Sequence, residues 1–89
     1  MREFEFTVKD PIGLHARPAG RLVKEASKFA SRIVLEANGK SVEATRLMAL
    51  MGLRVKEGSV VRVTVSGEDE VACAESLKAF FAENLQGAG

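Results

Sequence analysis

The 89-residue sequence has no tryptophan, no tyrosine, one cysteine and one histidine. A lone Cys73 cannot close an internal disulfide. With one histidine it cannot supply the ligands of a structural zinc site either, so no metal site is expected. The shortage of cysteine points to a reducing cytoplasm. Charge of one sign is also missing: 13 Lys and Arg face 12 Asp and Glu, for a net charge of +1. So even a balance is no electrostatic footprint for nucleic acid or an anionic membrane surface. No apolar run approaches the ~20 residues that span a bilayer, which excludes direct membrane insertion. The opening stretch Met1-Arg2-Glu3-Phe4-Glu5-Phe6 alternates and carries acids, so a signal or transit peptide is not expected.

What is present is a small globular composition, 46% hydrophobic and 28% charged. The length accommodates one domain, residues 1–89, with a frayed tail at 87–89. Residues 2–8 alternate, with Phe4, Phe6 and Val8 facing one way and Glu3, Glu5 and Thr7 the other, which predicts a half-buried strand. Residues 32–37 predict a second strand. Asn38-Gly39 follows, the pair favoured where both central turn residues need positive φ, and 40–44 return as a third strand. Residues 59–66 place Val61, Val63 and Val65 on one face of a fourth. Helical spacing appears at 18–28 (Ala19, Leu22, Val23, Ala26) and at 69–85 (Val71, Ala74, Leu77, Phe81, Leu85). Residues 46–51 predict a short helix, with Thr45 as its N-cap and Gly52 as its stop. Strands with one polar face suit an antiparallel sheet covered on its other side by helices, an α+β fold.

Against this background Gly13-Leu14-His15-Ala16-Arg17-Pro18-Ala19 stands out. Pro18 sits in the first turn of the predicted helix, where a missing N–H costs nothing. His15 therefore falls near the N-cap. The amides of Ala16 and Arg17 are free to donate to an anion, and the helix end adds partial positive charge. Arg17 contributes a forked guanidinium suited to phosphate oxygens. A helix start also favours neutral imidazole over its cation, and neutral imidazole is a nucleophile. On pattern alone two readings stand: a surface or capping histidine, and a covalent phosphoryl acceptor.

The seven-residue segment resembles the signature of HPr, the histidine-containing phosphocarrier family of the bacterial phosphoenolpyruvate:sugar phosphotransferase system. Ser27-Lys28-Phe29, Asn38-Gly39-Lys40-Ser41, the apolar stretch Leu47 to Leu53, Glu57-Gly58 and the closing helix extend the resemblance over about residues 2–86. It implies an open-faced β-sandwich of βαββαβα order, a four-stranded antiparallel sheet with three helices on one face. It implies a carrier rather than an enzyme. Nδ1 of His15 would accept a phosphoryl group from phosphorylated enzyme I and pass it to enzyme IIA domains. Arg17 would be the charge clamp, and the amides of Ala16 and Arg17 would hold the oxygens. No metal, nucleotide or other cofactor is implied, and a monomer is expected.

Leu47, Met48, Leu50 and Met51 are too many apolar residues for one stripe on so short a helix. Either all enter the core, or Met48 with Leu47 or Met51 is exposed as an adaptable docking patch. Arg21 and Lys24, outward on the first long helix, would steer acidic partner surfaces.

The sequence also departs from the family. Many Gram-positive members carry a regulatory serine immediately before the position of Leu47; Arg46 stands there, so a serine-phosphorylation switch is not expected. Thr45 and Ser41 are the nearby hydroxyls, read as cap and strand residues. Several members have glycine after the position of Leu53, where this chain has Arg54. Three other readings remain open: a carrier of the nitrogen-related phosphotransferase branch, a docking module that transfers nothing, and a small ligand-binding domain with a formed apolar pocket.

Overall fold

The computed structural model describes residues 1–84; the expectations for Leu85 and for the tail 87–89 lie outside them. Its elements run β1 (Arg2–Thr7), α1 (Ala16–Ala26), β2 (Arg32–Ala37), β3 (Lys40–Glu43), α2 (Leu47–Gly52), β4 (Val60–Ser66) and α3 (Glu70–Asn84). The four strands form one antiparallel sheet in the order β1-β4-β2-β3. The result is the expected open-faced α+β sandwich.

Alternation in the strands becomes alternation in space. The register aligns Phe4, Val63, Leu35 and Val42 in one row across all four strands. Val63 and Leu35 are fully buried, and Phe4 and Val42 pack against the core from the sheet edges. The next row, Glu5, Arg62, Glu36 and Ser41, points away to water. There Arg62 reaches Glu5 at 3.5 Å and Glu36 at 3.8 Å. Exposed pairs of this kind set register more than they add stability.

The helices close the inner side. In α1, Ala19, Leu22 and Ala26 recur at helical spacing and are buried; burying Leu22 alone stabilises by about 1.5–3 kcal/mol. In α3 the buried set is Cys73, Ala74, Leu77, Phe80 and Phe81. Phe81 stacks on Phe6 at 5.3 Å and meets Phe4 and Phe80 edge-on at 6.3 and 5.8 Å. These rings fix the rotation of α3 and correct one expectation. Val71 lies about a third of a turn from that stripe, and it is 53% exposed. Cys73 is a core residue whose thiol is pushed up to about 11, chiefly by burial.

The turns carry two further corrections. Asn38 (φ 52°) and Gly39 (φ 79°) make the expected positive-φ turn. Around α2, however, the N-cap is Arg46 rather than Thr45, with no capping side-chain bond. Arg46 is held instead by Glu43, whose Oε2 accepts from its Nε at 3.4 Å. Gly52 is the last helical residue and not a left-handed stop; positive φ comes two residues later, at Arg54 (φ 55°). Asn38 Nδ2 donates to the carbonyls of Leu53 and Arg54 at 2.8 and 3.1 Å, tying the hairpin tip to this exit. Among the described residues no helix is long and apolar enough to cross a membrane.

Candidate functional site

The loop between β1 and α1 is built to present His15. Asp10 opens a turn: its Oδ1 accepts from the Ile12 amide at 2.8 Å and its carbonyl from Gly13 at 3.0 Å. Asp and Gly suit such turns by side-chain acceptance and positive φ respectively. Gly13 (φ 80°) packs on the backbone of Val55 and Lys56. Leu14 is buried, and its amide donates to the Val55 carbonyl at 3.1 Å. With Leu14 anchored inward, the next residue is turned out.

His15 is the N-cap of α1, in extended conformation (φ −99°, ψ −174°). Its carbonyl accepts from Ala19 at 3.0 Å, the first bond of the helix. The helix therefore starts two residues before the expected position 18. Pro18 is its third residue, where an N–H would have no acceptor within the helix. The ring of His15 is partly exposed and makes no cap bond. Among the described residues the amides of Ala16 and Arg17 find no acceptor, and neither does the Arg17 guanidinium. The two amides lie in the first turn of the helix, where backbone donors have no partner within it.

His15 and Arg17 border an open depression of about 260 Å³ shared with Asp10, Pro18, Arg21 and Asn84. The hollow opens to solvent and is no enclosed apolar chamber. Lys24 is exposed one turn beyond Arg21 and touches no acid among the described residues. Two members of the depression carried no signal as site residues in the sequence. Asp10 read only as turn punctuation. Asn84 arrives from the far end of the chain, where its Oδ1 accepts from Arg21 at 3.2 Å.

The second cluster is α2. Leu50 faces the core with no exposure, whereas Leu47, Met48 and Met51 are 39%, 79% and 38% exposed. The apolar excess thus divides, and both Leu47 and Met51 join Met48 outside. The chain leaving α2 reaches Val55, the residue that anchors Leu14, so the patch and the histidine loop share one support. Arg46, Thr45 and Ser41 are exposed beside it.

An outward-turned histidine on the leading end of a helix, over an antiparallel open-faced sheet, defines a class of small α+β domain. Comparison with known proteins gives the class its family. Residues 2–83 match the family model for the phosphotransferase-system HPr component phosphorylation site. The chain is 41% identical over 83 residues to the phosphocarrier protein HPr of Lysinibacillus sphaericus, covering 93% of this chain and 94% of that one. The solved histidine-containing phosphocarrier protein of a mycoplasma superposes with a TM-score of 0.91 at 34% identity, over 97% of this chain and all of that one. Crh of Bacillus subtilis, crystallised as a domain-swapped dimer, superposes with a TM-score of 0.74 at 40% identity, over 96% and 98% of the two chains. The chain belongs to the HPr family of phosphotransferase-system phosphocarrier proteins.

Proposed function

We propose that this chain takes a phosphoryl group from phosphorylated enzyme I onto Nδ1 of His15 and hands it to enzyme IIA domains during sugar uptake in the cytoplasm. One observation carries the reading. His15 stands at a helix start where two amides and the Arg17 guanidinium have no acceptor among the described residues. Unclaimed donors beside a nucleophile are a ready cradle for a dianion.

In the proposed step, the Nδ1 lone pair of neutral His15 bonds to phosphorus as the donor's P–N bond breaks. The electron pair stays on the donor nitrogen, which takes up a proton while the new phosphoimidazole releases one from Nε2. The Ala16 and Arg17 amides and the Arg17 side chain neutralise the oxygens throughout. Positioning and charge supply the rate, so no metal or nucleotide is needed on this partner. The same contacts stabilise the product modestly, as a group that must be given away requires.

Arg21, Lys24, Leu47, Met48 and Met51 form the docking surface in this reading. The exposed methionines give it adaptability for several partners. Arg46, already paired with Glu43, offers no hydroxyl for a kinase. The carrier works as a monomer.

The test is transfer of label from phosphoenolpyruvate through enzyme I and on to an enzyme IIA domain. Wild-type protein should label and discharge, and His15→Ala should do neither. Faster charging by the nitrogen-branch form of enzyme I would move the protein to that branch. A wild-type chain that binds enzyme I yet never labels would be a docking module.

A further inference from the structure

We infer that Arg21 is a second anchor for the transferred phosphoryl group, held at the site by Asn84; this rests on the carrier reading above. Arg17 and Arg21 are four residues apart on α1 and so share a face. Their Cα atoms differ by about 6 Å along the axis, and helical side chains lean toward the N-terminus. Arg21 therefore reaches back toward the turn that carries His15. The structure shows that convergence: Arg21, Arg17 and His15 border one depression.

Arg21 is held rather than loosely solvated. Its Nη1 donates to Asn84 Oδ1 at 3.2 Å, and Asn84 Nδ2 donates to the Phe80 carbonyl at 3.0 Å. The last turn of α3 thereby fixes the guanidinium. That bond uses one of five N–H donors, and the rest stay available. No carboxylate pairs with Arg21 among the described residues.

The charges decide why a second cation matters. Asp10 puts a carboxylate on the same depression. With Arg17 alone, the side-chain charges would cancel, leaving the helix end as the sole attraction for a dianion. Adding Arg21 leaves the site net positive. Asn84 is a positioning residue in this scheme and touches no phosphoryl oxygen.

Partner steering by Arg21 would act only while two proteins approach each other. Anchoring acts in the isolated phosphoprotein, and the experiment uses that difference. Wild-type, Arg21→Gln, Arg21→Lys and Asn84→Ala chains are phosphorylated with phosphoenolpyruvate and enzyme I, purified, and titrated by ³¹P NMR. Loss of an adjacent guanidinium should raise the apparent pKa of the phosphoryl group by about half a unit in Arg21→Gln. Arg21→Lys should recover part of the shift. Asn84→Ala should move it less, in the same direction, and add nothing on the Arg21→Gln background. Charging by enzyme I should slow on the order of tenfold in Arg21→Gln. Superimposable ³¹P titrations of wild type and Arg21→Gln would overturn the inference even if charging slowed. Failure of the wild-type chain to be phosphorylated at His15 would instead overturn the carrier reading, and this inference with it.

Discussion

Gly13 lies so close to Val55 that a β-carbon on it would collide with the Val55 carbonyl oxygen. That oxygen is also the acceptor for the Leu14 amide. One carbonyl thus sets both the approach of the loop and the inward turn of Leu14, and through them the outward turn of His15. Positive φ compounds the restriction, since Gly13 stands at φ 80°.

Gly13→Ala should therefore lower stability by about 2 kcal/mol or more, combining left-handed strain with a backbone clash. Denaturant unfolding measures it. Phosphoryl acceptance should fall beyond the fraction of protein unfolded, because the histidine loop must shift to admit the methyl group.

Arg54→Gly should go the other way. Arg54 holds φ 55° while its carbonyl accepts from Asn38. Removing the β-carbon relieves about 1–2 kcal/mol of left-handed cost, against about 0.5–1 kcal/mol of added unfolded-state entropy. The net expectation is a gain of about 0.5–1 kcal/mol, read as a higher Tm at unchanged fold. A lower Tm would show that the arginine side chain supports this exit from α2.

Leu50 and Met48 separate core from surface within one helix. Leu50→Ala should cost about 2–5 kcal/mol, as a buried truncation does. Met48→Ala should stay within about 0.5 kcal/mol of wild type. The same Met48 variant should weaken binding to enzyme I in calorimetry; unchanged affinity would remove Met48 from the docking surface.

Asp69 links acid stability to the start of α3. Its carboxylate accepts from the amides of Ala30 and Ser31 at 2.8 and 2.9 Å and from the Ser31 hydroxyl. Those bonds, the Ser31 hydroxyl first, hold its carboxyl below the usual aspartate range. A group lowered on folding contributes stability above its unfolded pKa and loses it as pH falls through the folded value. Asp69→Asn should thus be less stable than wild type at neutral pH, with the gap closing below about pH 4. A gap independent of pH would rule out the charge as its source.

The strands were legible in the sequence because each has one wet and one dry face, so Val61, Val63 and Val65 declared the core side by alternation alone. The donors at His15 were legible for a local reason too, since three consecutive residues decide which amides a helix start leaves free. The errors fall where distant packing decides or where neighbouring residues are equally suited to one local role. Val71 has helical spacing with Ala74, but the Phe4, Phe6 and Phe81 rings set the rotation of α3 and leave it outside. Thr45 is a good cap by type, yet the turn from β3 places Arg46 at that position. Pro18 marked the helix as starting too late, because it is tolerated anywhere in the first turn. The Arg21–Asn84 contact spans 63 residues and leaves no local trace.

The central claim is tested most directly at the atom. The chain, labelled with ¹⁵N in histidine, is charged by enzyme I and phosphoenolpyruvate and observed by ³¹P–¹⁵N NMR. The expected result is one phosphorus coupled to Nδ1 of His15, discharged on adding an enzyme IIA domain and absent from His15→Ala. Phosphorus bound at Nε2, or held on Thr45 or Ser41 with His15 unmodified, would contradict it.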